Sequence, residues 1–312
     1  MISLLNSPLA RLGLAILSCI VFVHVWILPS SQLHQKPPQF QLVISHYNEN
    51  LFKVKEWITA VREMPFVKEL GSTVTVYTKN KHANLDQIKE LLDAADVIRL
   101  PNVGREQGTY MHHINKTYDH IYPYTMFSQA AITGLNDTGN ASRPFKDWLD
   151  KSLRYKFTNE TKFFNLQHGG NPIFCVCGSC PTGYFPLLPQ LQTLFDNKVC
   201  DSTDKQSISW LGQFIVAKEK VIARPRWIYE YIGSLVDAPE GHWIHQEQEP
   251  ADLKQALGES LPDNPLFGHT VERIWPTLFN CSKEPEMQGC MGSWSPMPGQ
   301  KKKDGKLGEL SV

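Results

Sequence analysis

Residues 97–129 read VIRLPNVGREQGTYMHHINKTYDHIYPYTMFSQ, and this stretch decides the fold. Val97–Leu100, with apolar Val97, Ile98 and Leu100, reads as a short buried strand. Pro101, Asn102 and Gly104 supply a turn, and a helix opens at Arg105 and Glu106, with Tyr110, Ile114 and Tyr118 on one face. A second apolar strand, Tyr124–Phe127, ends in Ser128 and Gln129. Strand, helix and strand at this spacing imply parallel strands joined by a right-handed crossover. Polar side chains that leave a strand tip and a helix start together stand where open α/β sheets take ligands.

The alternation extends outward. Gln41–Ser45 and the β-branched run Thr73–Tyr77 read as strands, and Leu51–Arg62 and Leu85–Ala95 as helices. Gly212–Ala217 reads as a further buried strand, Pro225–Val236 as a helix begun by proline, and Phe267–Phe279 as a last amphipathic helix. The expected fold is therefore α/β with a mostly parallel open sheet. Residues 133–161 turn polar, with a helix expected near Pro144–Leu153.

The chain has 312 residues, 42% of them hydrophobic, and 31 basic against 31 acidic side chains. A balanced charge lacks the basic footprint of a nucleic-acid partner, so none is expected. Leu12–Leu28 carries no formally charged side chain and is closed by Pro29. At 1.5 Å per residue it spans roughly 25 Å, enough for a thin membrane. It reads as an uncleaved signal anchor, a transmembrane helix over 12–29 behind a cytoplasmic tail of residues 1–11. A stem over 30–40, a lumenal α/β domain over 41–282 and a partly disordered tail over 283–312 complete the expected organisation. Asn115, Asn136, Asn140, Asn159 and Asn280 head N-x-S/T sequons and support a lumenal, type II disposition in the Golgi or endoplasmic reticulum.

Cys175, Cys177, Cys180, Cys200, Cys281 and Cys290 lie in the lumenal part. The C-x-C-x-x-C spacing also suits zinc, but an oxidising lumen favours disulfides. Cys281 and Cys290 are a plausible local pair; the other connectivities stay open. His242 and His245 read as surface or core histidines.

The strand-end residues are the candidate site. His46, Tyr47, Asn48 and Glu49 follow the first strand, and Thr78, Lys79 and Asn80 the second. Asn102, Gly104, Arg105 and Glu106 follow the third, with Ser128 and Gln129 after the fourth. Gly104 lets a backbone approach a ligand, helix amides near Arg105 favour a phosphate, and Arg105 itself can clamp a diphosphate. Glu106 and Glu49 are the candidate bases, with His46, Asn48, Lys79, Asn102, Gly104, Arg105 and Gln129 as substrate contacts. Glu272 and Arg273 read as a structural pair that anchors the last helix. No G-x-S-x-G, Walker loop or G-x-G-x-x-G occurs, and no residue is assigned as a metal ligand.

The succession LVISHYNEN, TVYTKN, LPNVGREQGTYMHHI, GQFIVAKEKVIARPRWIYEYI and VERIWPTLF resembles the fungal family called domain of unknown function 3431. More loosely, a strand followed by an N-x-G-R-[DE] turn and a helix is similar to what some sugar-nucleotide glycosyltransferases carry, rhamnan-type ones among them. That resemblance implies an A-type glycosyltransferase fold, a sugar-nucleotide donor, a glycan or small-molecule acceptor, and a divalent cation, Mn or Mg. The pattern departs at Ser128-Gln129-Ala130, where A-type enzymes present Asp-x-Asp. A metal-independent enzyme, with Arg105 or Lys79 neutralising phosphates, is the arrangement this departure implies. Two other readings stay open: an enzyme of a fungal secondary-metabolite pathway acting on a small molecule, and a non-catalytic membrane-anchored binding protein.

Overall fold

The computed structural model describes residues 37–131, 153–166, 173–181, 183–196, 198–209, 211–246, 254–255, 257–282 and 289–292. The architecture below lies in the unit Pro38–Val312. The expected anchor, Asn136, Asn140 and nearly all of the expected helix near Pro144–Leu153 fall outside the described residues. Among the described residues no helix is long and apolar enough to cross a membrane.

Strand β1 (Phe40–His46) is buried along its whole length, as its run of apolar residues requires for a strand covered on both faces. It pairs in parallel with β2 (Ser72–Thr78) on one side and β4 (Tyr124–Gln129) on the other. Helix α1 (Leu51–Arg62) is started by Asn50, whose side chain accepts from the Phe52 and Lys53 amides. Val54, Trp57, Ile58 and Val61 are its buried stripe. A short helix, α2 (Pro65–Leu70), leads into β2. Helix α3 (Leu85–Leu92) is capped by Asn84 and stops earlier than the expected Ala95, because Asp93 takes a left-handed conformation.

The strand expected to be buried at Val97–Leu100 is β3 (Asp96–Arg99), and its residues are exposed or half-buried. Among the described residues it pairs with β2 alone and ends the sheet, so an apolar run of two residues was no guide to burial. Helix α4 (Arg105–Thr117) returns beneath the sheet with Tyr110 and Ile114 fully enclosed.

The seven-stranded sheet has the order β11-β5-β10-β4-β1-β2-β3. Here β5 is Phe163–Asn165, β10 is Phe214–Ala217 and β11 is Cys290–Gly292. Strand β10 runs against both β4 and β5, while the other strands share one direction. The sheet is therefore largely parallel, and β10 starts at the edge where β4 ends. Strand β11 lies within the stretch read as tail; it joins β5 and is tied down by a disulfide. A small antiparallel sheet, β8-β7-β6-β9, is built from Phe174–Val176 (β6), Ser179–Cys180 (β7), Gly183–Tyr184 (β8) and Lys205–Ser207 (β9).

Six of the cysteines form Cys175–Cys180, Cys177–Cys200 and Cys281–Cys290. The first two staple the small sheet, and the third is the local pair that its spacing suggested. Helix α5 (Leu187–Asp196) follows β8 in the chain, and α6 (Lys218–Ile222), α7 (Arg226–Val236) and α8 (Trp243–Gln246) come after β10. The last helix, α9 (Leu266–Leu278), is not amphipathic in the expected sense. Every residue in it is buried except His269, which is half-buried. Phe214, Trp275 and Phe279 stack where α9 crosses the sheet, with ring centroids 4.7 Å apart for Phe214 and Trp275.

Candidate functional site

The carboxyl ends of β1, β2, β3 and β4 face one edge, as their parallel pairing demands. Two groups of side chains gather there. At the ends of β1 and β2, His46 is buried and its Nδ1 lies 3.0 Å from the Thr78 hydroxyl. Asn80 donates from its side chain to Asn48 Oδ1 at 2.7 Å. Glu49 accepts the Tyr47 amide at 2.6 Å and lies 3.9 Å from His46 Nε2. Glu49 therefore closes its own turn, and Asn48 and Asn80 hold the two loops together.

The second group forms around the start of α4. Gly104 and Arg105 both have positive φ, at 67° and 46°. A left-handed Arg costs on the order of 1 kcal/mol, so the surroundings must hold it. Lys79 does so: it is buried, and its ammonium donates to the Val103 and Arg105 carbonyls. Burial pulls the Lys79 pKa down to about 8, against the pull of Asp237 and Glu106. An ammonium spent on loop carbonyls is turned inward, away from a ligand, unlike the role expected for it.

The expected phosphate position at the α4 amides is covered. A Cβ built on Gly104 or on Gly108 would lie 2.1 Å from Asp237 Oδ1, so that carboxylate sits in the notch the two glycines leave. The Gly104 amide is already used, donating to Pro262 O at 2.7 Å. Asp237 is exposed as a residue, yet its carboxyl is packed down against α4. Burial raises its pKa to about 6, with Lys79 opposing. Asn102 lies exposed on the turn beside it.

The Arg105 side chain leaves this turn with 35% of its surface exposed and meets α9. Its Nη1 donates to Asn264 Oδ1 at 3.2 Å and lies 3.0 Å from His269 Nε2. Its Nε is 3.6 Å from Glu106 Oε2. Glu106 is only 8% exposed and accepts from Gln107, whose own oxygen accepts the Trp275 indole N–H at 2.8 Å. On α9, His269 Nδ1 lies 3.8 Å from Glu272 Oε2. Glu272 Oε1 accepts the Leu211 amide at 3.0 Å and lies 3.9 Å from Arg273 Nη1. Burial alone pushes the Glu272 carboxyl up. His269, Arg273 and the Leu211 amide together outweigh it and hold the group below the usual carboxylate range.

Glu272 is thus both the anchor that was expected, through Leu211, and part of the strand-edge cluster. Arg273 keeps the structural role, bonding to the His269 carbonyl at 2.6 Å and lying over the Phe185 ring. Gln129 bridges from β4 to Leu211 O at 3.3 Å. The neighbouring Gln213, one residue before β10, is buried, and neither of its amide atoms has a hydrogen-bond partner among the described residues. His269, Asn264, Asp237 and Gln213 were missed from sequence. None belongs to a motif, and His269 is 164 residues from Arg105 along the chain.

A divalent cation does not fit these donors. Strand β4 ends without a carboxylate, and Glu106 and Glu272 flank a guanidinium and an imidazole that already answer their charge. Among the described residues no group of three or more His, Cys, Asp or Glu side chains is placed to hold a metal ion. Of the sequons, Asn159 lies exposed in a turn and Asn280 is exposed beside the Cys281–Cys290 bridge. Asn115 lies within α4 with its Oδ1 enclosed.

No family model matches the chain, and no curated protein matches it, so the resemblance to the fungal family of unknown function gains no support. Solved structures similar to it include core-mannan synthase A from Aspergillus fumigatus in its Mn/GDP form. That match has 9% identity over 77% of this chain and 71% of that one, with a TM-score of 0.34. The mannosyltransferase Ktr4p from S. cerevisiae gives 12% identity over 76% and 66%, at a TM-score of 0.30. A 4-diphosphocytidyl-2C-methyl-D-erythritol synthase gives 8% identity over 64% and 86%, at 0.31. Likenesses of this size carry no argument about the site, whose chemistry rests on its own residues.

Proposed function

We propose that this chain is a glycosyltransferase-like enzyme that binds a sugar nucleotide at the carboxyl edge of its sheet and needs no metal ion to do so. The observation that carries the reading is Arg105. It is a part-exposed guanidinium that projects from the expected strand–turn–helix unit into a cluster of buried Glu106 and Glu272 and half-buried His269. A part-exposed arginine held by Asn264, His269 and Glu106 can exchange these partners for the oxygens of a diphosphate. Three disulfides suit a lumenal domain, so the type II, secretory-pathway placement belongs to the same proposal.

Calorimetric titration of the purified full chain with sugar nucleotides and plain nucleoside diphosphates, with and without manganese, tests this. Saturable heat that does not depend on manganese is expected; no heat from any of them would remove the reading. A second reading, a non-catalytic binder or an enzyme acting on an uncharged metabolite, is favoured by one observation. The Asp237 carboxylate occupies the start of α4, where an anion would otherwise gain most from the helix dipole. On that reading Asp237→Asn leaves nucleotide binding absent, whereas a diphosphate near α4 would bind that variant several-fold more tightly.

A further inference from the structure

The geometry points to His269 as the general base of the transfer, held in its working tautomer by Glu272 and covered by Arg105 until a donor arrives. This deepens the sugar-nucleotide reading and rests on it for the identity of the donor. Arg has only N–H donors, so the 3.0 Å contact from Arg105 Nη1 makes His269 Nε2 the acceptor. The single ring proton of the neutral imidazole is then on Nδ1, on the side of Glu272 Oε2 at 3.8 Å. That separation is longer than a hydrogen bond but within electrostatic reach, and such contacts tighten when substrate closes a site. Glu272 cannot swing away, because its other oxygen holds the Leu211 amide. His269 is also the one residue of α9 that is not buried.

The groups facing the imidazole are Arg105 and, behind it, Glu106 from α4, Asn264 before α9, and Glu272 and Arg273 from α9 itself. A donor diphosphate draws Arg105 away and so exposes the Nε2 lone pair. The acceptor hydroxyl gives its proton to Nε2 while its oxygen bonds the anomeric carbon. The bond from that carbon to the diphosphate oxygen breaks, the electron pair leaves with the nucleoside diphosphate, and Arg105 balances the charge. His269 then returns its proton to water. His269 is the catalytic residue in this sequence, and Glu272 is a positioning residue.

The test uses the full chain labelled with 15N-histidine, with GDP, UDP, GDP-mannose and UDP-glucose as probes. His269, identified by the resonance lost in His269→Gln, is expected as the neutral Nδ1–H tautomer. Its Nε2 signal should move when a probe binds. Glu272→Gln presents an amide that can donate to Nδ1, and is expected to switch the ring to the Nε2–H form. His269→Gln and Glu272→Gln should each lower turnover of the sugar nucleotide by about 100-fold or more while nucleoside diphosphate affinity stays within about threefold. Arg105→Ala should lose that affinity. An Nε2–H tautomer in the unmodified chain, or His269→Gln turning over within a few-fold of it, overturns the assignment. If no probe binds while the Nδ1–H tautomer is present, the donor reading fails and the dyad stands.

Discussion

Replacing Gly108 by Ala should change sign with the residue at position 237. In a helix interior Ala is favoured over Gly by about 1 kcal/mol. Against that, the new Cβ would lie 2.1 Å from Asp237 Oδ1, with Val103 O the next constraint at 3.3 Å. The carboxylate must leave its notch, and losing its contacts costs about 1–3 kcal/mol. Gly108→Ala should therefore destabilise the chain by up to about 2 kcal/mol. In an Asp237→Ala background the obstacle is gone, and the same change should stabilise by roughly 0.5–1 kcal/mol. The coupling of about 2 kcal/mol is well above the ~0.5 kcal/mol scatter of independent sites. Gly104→Ala is the control. Its φ of 67° and a Val236 methyl 2.8 Å from the new Cβ keep it destabilising by about 2 kcal/mol or more in both backgrounds. Urea unfolding of the four combinations, compared at equal m, reads the cycle. A Gly108→Ala cost that is the same with and without Asp237 would refute the placement of that carboxylate over α4.

Two pH dependences follow from buried bases. Lys79 has its folded pKa lowered to about 8 from 10.5, so its protonated form burdens the folded state below pH 8. The burden is relieved as pH rises towards 10.5. Stability relative to Lys79→Met should thus climb by about 1.4 kcal/mol per pH unit between about 8 and 10.5, and parallel urea profiles would contradict this. His113 lies inside α4's buried face, taking the Tyr77 hydroxyl at 3.0 Å and donating to Gln41 at 3.1 Å. Burial lowers its pKa to about 3 from 6.5, so stability is complete above 6.5 and lost as pH falls towards 3. Between pH 6.5 and 4.5 the loss should be about 2 kcal/mol, and His113→Gln should flatten that limb of the pH–stability curve.

The central strands were legible because β1, β2 and β4 are continuous apolar or β-branched runs that only a covered parallel sheet accommodates. Burial of β3 was not, since an edge position is a property of the sheet and not of Val97 and Ile98. The direction of β10 was also hidden: FIVA reads the same in either orientation. Arg105 and Glu106 stood out because they follow a glycine turn at a strand end. Their partners did not, because His269 and Glu272 sit on a helix whose spacing shows only its packing. Asp237 carries no local signal at all; its place over Gly104 and Gly108 exists only once α7 lies against α4. The same limit applies to Lys79, which looks like a ligand contact in sequence and proves to be the support of a strained turn.

The most direct measurement is the melting temperature of the full chain with saturating sugar nucleotide, in the unmodified protein and in Arg105→Ala. At a hundred times the Kd, binding to the native state adds about 2.7 kcal/mol. That should raise Tm by several degrees at roughly 2–4 °C per kcal/mol for a chain of this size. The account predicts such a rise in the unmodified chain, with or without manganese, and its loss in Arg105→Ala. A cooperative melt that no nucleotide shifts, or an equal shift in both proteins, would contradict it.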